Sequence, residues 1–140
     1  MHIHYNKTMI DCVKFLKDNK ITPTKQRVDI AMLIFHKNQH FTASDLITLA
    51  TKSSLHISQA TIYNTLCLFE SRGILKTIDL QNDRKFYDTN LSLHHHIYNV
   101  STKVLTDVSD EQIEFSKLPD LPDNLEFEKA EVLIKVKNKN

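Results

Sequence analysis

Gly73 is the only glycine in 140 residues, and it divides the chain. Before it, apolar residues recur at the three- and four-residue spacing of buried helix faces; after it, short β-prone runs follow one another. A single glycine also excludes the glycine-rich phosphate loops of nucleotide sites and any Gly-x-Ser-x-Gly nucleophile elbow.

Four helices are predicted ahead of Gly73. The first covers 7–19, with Ile10, Val13 and Leu16 on one face and Cys12 and Phe15 beside it. Thr22 is placed as N-cap of the second and Pro23 as its first residue. Val28, Ala31, Met32 and Phe35 form its stripe, and it ends near Lys37. His40 stands at the start of the third. Thr42 caps that helix, Asp45 returns the bond, and Leu46, Leu49 and Ala50 face inward. Ser58 caps the fourth, over 59–72, which buries Ile62, Leu66 and Phe69. Gly73 is its left-handed stop. A strand over 74–80, a turn at Gln81-Asn82-Asp83-Arg84 and a returning strand over 85–88 complete a β-hairpin. Helices followed by such a hairpin predict a winged helix. Gln59, Thr61, Tyr63 and Asn64 then lie at the start of the recognition helix, where base edges are read, and Arg84 and Lys85 lie near phosphates.

The remainder is short and β-rich. Strands are expected over 97–100 and 104–108, a helical turn over 110–117, a loop over 118–124 and a last strand over 125–136, with Val132, Ile134 and Val136 on one face. About fifty residues make a marginal core, so pairing with a second copy is the economical solution. The fold expected is therefore α+β. It has an N-terminal winged helix-turn-helix domain, 1–88, and a small C-terminal α/β dimerisation domain, 89–140.

Within that second part lies the run His94-His95-His96, with Asp88 upstream and Asp107 downstream. On a strand, alternate side chains share a face, so His94 and His96 point together, roughly 6–7 Å apart, and His95 points away. Imidazole with carboxylate suits divalent first-row metals. The competing reading is a polar sheet edge with solvated histidines. A hydrolytic metal site on His94, His96 and Asp107 would need a general base, and no His-Glu-x-x-His is present. A small metal- or haem-carrying protein is a further alternative. Charge argues against the carrier, because residues 1–85 hold 12 Lys/Arg and 7 Asp/Glu while 86–140 hold 6 and 10. A basic half suits a polyanion and an acidic half suits cations. Cys12 and Cys67 sit in helical patterns, and there is no Cys-x-x-Cys, so no structural zinc held by four thiolates is expected. No apolar run is long enough to span a membrane, and the N-terminus lacks a signal-peptide core, so a cytoplasmic protein is expected.

Thr22-Pro23-Thr24-Lys25-Gln26-Arg27, His40-Phe41-Thr42-Ala43, Ser58-Gln59-Ala60-Thr61-Ile62-Tyr63-Asn64-Thr65-Leu66 and the histidine block together resemble the ferric uptake regulator (Fur) family, in order, over about residues 8–136. Phe86-Tyr87-Asp88-Thr89-Asn90, the histidine run and Leu118-Pro119-Asp120-Leu121-Pro122 are most similar to its iron response regulator (Irr) branch. The resemblance implies a homodimeric, operator-binding transcription regulator of iron homeostasis, responsive to metal or haem. A peroxide- or manganese-responsive regulator of the same family is the alternative. It implies a site for Fe2+, Mn2+ or Zn2+ made by His40, Asp88, His94, His96 and Asp107, and haem at His94, His95 and His96. It implies DNA contacts from Lys20, Arg27, Ser58, Gln59, Thr61, Tyr63, Asn64 and Arg84, with Lys20 in the minor groove and Tyr63 on a base. Two departures stand out. Asn99 and Thr102 occupy the positions of the family's first zinc-clip cysteines, and Cys12 is followed by Val13 rather than by the proline of a haem motif.

Overall fold

The computed structural model describes residues 9–81 and 84–140. They form two compact units that meet between Leu91 and Ser92. Thr89 belongs to the first: its hydroxyl accepts the Gln39 N–H at 3.0 Å.

The first unit contains α1 (Met9–Asp18), α2 (Lys25–Ile34), α3 (Ala43–Lys52) and α4 (Gln59–Ser71). Its sheet joins β1 (His40–Phe41), β2 (Lys76–Asp79) and β3 (Lys85–Asp88) in the antiparallel order β1-β3-β2. The helices enclose one core around Leu16, Ile30, Ile34, Phe35, Leu46, Ile62, Leu66 and Phe69. Phe35 packs edge-on against Phe15 and tilted against Phe69, with centroids 5.1 and 5.7 Å apart. This is the winged helix expected, although the tip of the predicted hairpin turn, Asn82 and Asp83, lies outside the described residues.

Helix ends follow local chemistry. Thr42 and Asp45 form the full capping box of α3, and Ser58 caps α4 by accepting the Thr61 N–H. The cap of α2 is Thr24, not Thr22, and α2 stops at Ile34 rather than near Lys37. Thr24 sits three residues before Arg27, whose N–H it accepts at 3.3 Å, whereas Thr22 and Pro23 remain in the lead-in. At the other ends Lys20, Ser54 and Gly73 all adopt positive φ, at 61°, 58° and 75°. Each is followed by the same long bond: Ile21 N–H to Leu16 O, Leu55 N–H to Ala50 O, and Ile74 N–H to Phe69 O. These are three copies of the left-handed helix stop, only one of them glycine.

Two expectations of burial fail for one reason. Ile10 is 80% exposed and Leu49 39% exposed, while Cys12 and Leu16 are the fully buried residues of α1. Spacing defines a face, but only the neighbouring helix defines how wide a stripe it covers. Likewise His40 does not start a helix: His40–Phe41 is a short strand, drawn out of the loop by pairing with Tyr87 and Asp88.

The second unit has β4 (His94–Asn99) at the centre of a three-stranded sheet. β5 (Val104–Ser109) pairs with it antiparallel, and β6 (Leu133–Val136) parallel. The helical turn expected over 110–117 shrinks to a 3-10 turn at Asp110–Gln112, and the strand expected over 125–136 to β6 alone. Only residues near β6 have a partner strand, because β4 offers the register His96–Asn99 and no more. Phe115, Leu118, Leu121, Leu125, Phe127 and all of β6 remain exposed, so this unit alone leaves much apolar surface in water. Among the described residues no helix is long and apolar enough to cross a membrane.

Candidate metal centre and nucleic-acid surface

β4 separates the three histidines as its pleat requires. His94 and His96 share a face with ring centroids 4.5 Å apart. Asp107 on β5 is the register partner of His96, and its Oδ1 lies 3.3 Å from His96 Nε2 and 3.6 Å from His94 Nε2. Ligand-capable atoms of these three residues all fall within 4.8 Å of one another. Both rings are 5% exposed, while the Asp107 side chain is about half exposed. His94 Nδ1 donates to the Ser92 carbonyl at 2.6 Å, which places the lone pair on Nε2. A carbonyl behind the ring is how proteins orient a metal-binding histidine. The donor set is nitrogen and oxygen only, and it fits a divalent ion of borderline hardness.

His95 points to the opposite face, but it is not solvated. It is fully buried; Nδ1 accepts the Val132 N–H at 2.9 Å and Nε2 lies 2.9 Å from Asp110 Oδ1. Both ring nitrogens are therefore committed within the protein.

The other two expected ligands belong to the first unit, where His40 and Asp88 are cross-strand partners. Asp88 is 1% exposed and its Oδ1 accepts the Asn90 N–H at 2.9 Å. His40 meets the Phe86 ring edge-on at 6.2 Å.

Most of the expected DNA-facing residues lie on or near the first turns of α4, whereas Lys20 lies by its C-terminal end, beside Arg72. Gln59, Tyr63 and Asn64 are exposed, and Thr61 is half-buried. Ser58 is taken up by capping: its hydroxyl accepts the Thr61 N–H at 3.1 Å and donates to the Thr61 hydroxyl at 2.9 Å. Arg27 is steadied by donating to the Thr22 carbonyl at 3.0 Å. Lys20 and Arg84 are exposed, and the Lys20 carbonyl accepts the Arg72 guanidinium at 3.5 Å. α4 carries no Lys or Arg between Gln59 and Ser71. Sequence reasoning passed over Gln26, Ser44, Thr65 and Tyr87, which line clefts on either side of α4. The alternation Lys85-Phe86-Tyr87 carried a signal for Tyr87, but Thr65 sits inside the apolar stripe and reads as core.

The sequence model of the ferric uptake regulator family matches residues 18–136. The chain belongs to that family. Its members are transcription regulators rather than enzymes, and they typically act as dimers on DNA. The ferric uptake regulation protein of Synechococcus elongatus is 33% identical over 84 residues, which are 59% of this chain and 57% of that one. The chain thus spans little more than half the length of that relative. The protein of the same description from Neisseria meningitidis is 31% identical over 101 residues, covering 71% and 70% of the two chains. The ferric uptake regulator of Pseudomonas aeruginosa, solved with manganese, superposes with a TM-score of 0.71 at 19% identity, over 91% of this chain and 97% of the other. At that identity the likeness concerns the fold.

Proposed function

We propose that this chain is a metal-responsive, DNA-binding transcription regulator of iron homeostasis that works as a cytoplasmic homodimer. The observation that carries the reading is the triad of His94, His96 and Asp107, with the His94 ring oriented by a backbone carbonyl, on a chain whose other unit exposes a polar recognition helix. His40 and Asp88, neighbours in register on the first unit, are the further ligands that the family resemblance implies. When bound, a divalent ion supplies the positive charge that lets these carboxylates and imidazoles converge. Fe2+ and Mn2+ suit such oxygen and nitrogen donors, and Zn2+ is accommodated by the same set.

Ligands drawn from both units hold one arrangement of the two when they share an ion. Half-sites on B-DNA accept recognition helices at about one helical turn or a multiple of it. Operator affinity therefore follows metal loading to the extent that one arrangement binds the ion better. Dimerisation is favoured by the exposed apolar residues of the second unit, Ile134 and Val136 among them.

Within the family we place the chain nearest the Irr branch, on the histidine run and the Leu118–Pro122 segment. Haem in that case takes His94 or His96, because His95 has both nitrogens engaged. The same donor set favours a manganese-responsive regulator as the second reading. Titration of Mn2+, Fe2+ and haem into a gel shift separates these. Operator affinity that rises or falls with one of them supports the regulator; affinity unchanged in all three defeats it.

A further inference from the structure

Two clefts flank α4, both within the first unit. One, of about 570 Å³, lies between the start of α3 and β3 and is lined by Ser44, Tyr63, Arg84, Lys85 and Tyr87. The other, of about 410 Å³, lies against the start of α2 and is lined by Gln26, Arg27, Thr61, Asn64 and Thr65. Each combines the same three features. Each has a cationic side chain at its edge: Arg84 in the first, together with Lys85, whose Nζ lies 3.8 Å from Glu70, and Arg27 in the second. Each has the N-terminus of a ten-residue helix, where the caps engage only the third N–H and leave the first two for another acceptor. Each also has one hydroxyl-bearing residue that is 4% exposed, Tyr87 or Thr65, with no hydrogen-bond partner for that hydroxyl among the described residues. The acidic side chain lining the larger cleft, Asp45, is occupied by the Thr42 N–H at 3.0 Å.

A buried hydroxyl left without a partner is costly, and both clefts set hydrogen-bond donors beside a positive charge, with Asp45 the one carboxylate in either lining. Their complement is an anion that only accepts hydrogen bonds. An α-helix is about 10–12 Å across and the major groove about 12 Å wide, so a helix in the groove has one sugar-phosphate strand on each side. We propose that each cleft seats one phosphodiester of the duplex that receives α4, with Tyr87 and Thr65 as the buried donors. The inference rests on the DNA-binding reading above and adds to it the strand-positioning contacts on both sides of the recognition helix.

Tyr87→Phe and Thr65→Val remove a hydroxyl with little change of shape. Binding is measured for two duplexes at one salt concentration with Mn2+ present. One is a random-sequence duplex; the other is a duplex enriched from a random pool by the wild-type protein. Each variant is expected to lose about tenfold in affinity, as for a hydrogen bond to a charged group, equally on both duplexes. The urea midpoint should stay level or rise, because the unpartnered hydroxyl is gone. Wild-type affinity in both variants overturns the inference while leaving the DNA-binding reading intact. A loss confined to the enriched duplex would indicate base readout and overturn it too, as would an affinity loss that tracks a fall in the urea midpoint. Wild-type protein with no affinity for either duplex defeats the DNA-binding reading and this inference with it.

Discussion

The Nδ1 of His95 accepts the backbone N–H of Val132 at 2.9 Å, and this one bond sets the tautomer of the ring. Nε2 then carries the proton and donates it to Asp110 at 2.9 Å. The middle strand β4 is thereby tied both to the 3-10 turn and to the lead-in of β6, whose Val132 carbonyl accepts the His96 N–H at 3.1 Å. His95→Ala is expected to lower stability by about 2–3 kcal/mol, from a cavity and two lost hydrogen bonds. Amide exchange at His96 and along β6 should accelerate. Wild-type stability in that variant would show that the bonds contribute nothing.

His94→Ala and His96→Ala are expected to leave the fold in place, since each removes a ring that faces Asp107. Mn2+ at a hundred times its Kd should stabilise the wild type by about 2.7 kcal/mol in thermal unfolding. The double variant should gain close to nothing from the same metal. Equal stabilisation of both would move the ion elsewhere.

Lys20, Ser54 and Gly73 share one backbone conformation, so they should respond to substitution in opposite senses. Lys20→Gly and Ser54→Gly should each raise stability by about 1 kcal/mol, because a Cβ is disfavoured at positive φ. Gly73→Ala should lower it by about the same amount. A Cβ there meets nothing within 4 Å, so the cost is conformational alone. Lys20→Gly carries a second expectation. The stabilised protein should bind DNA more weakly, with a salt slope smaller by about 1. Urea titration beside a salt series tests both halves.

Tyr63 is nearly half exposed at the start of α4, and its loss should relax sequence preference by roughly 1–3 kcal/mol per affected base contact. Selection from a random pool with wild type and Tyr63→Ala measures it. An identical preferred site from both would displace α4 as the reading helix.

Asn99 stands where the resemblance puts a zinc-clip cysteine, and its side chain ties the end of β4 to the following turn and to Asn138. Its Oδ1 accepts the N–H groups of Ser101 and Thr102 at 2.8 and 3.1 Å, and its Nδ2 donates to Asn138 at 2.9 Å. Asn99→Ala should cost about 1–2 kcal/mol. In the His94→Ala/His96→Ala variant, a chelator strong enough to strip zinc should leave the unfolding midpoint where it was. A large chelator effect in that background would reveal another metal.

The local facts were legible in the residues themselves. A capping box needs only Thr42 and Asp45, a left-handed stop needs only Gly73, and a strand's pleat alone sends His94 and His96 one way and His95 the other. These depend on neighbours within a few positions, where covalent geometry leaves few choices. Tertiary packing decided the rest. Val132 lies 37 positions from His95, and only the parallel pairing of β6 with β4 turns a histidine that faces away from the metal site into a buried clasp. β1 exists because β3 passes beside it. Ile10 is exposed because the core covers the side of α1 that carries Cys12, Val13, Phe15 and Leu16. Tyr87 and Thr65 show the same division most clearly. Helical spacing places Thr65 inward, whereas alternation puts Tyr87 on the face of exposed Lys85, and its burial comes from elements distant in sequence.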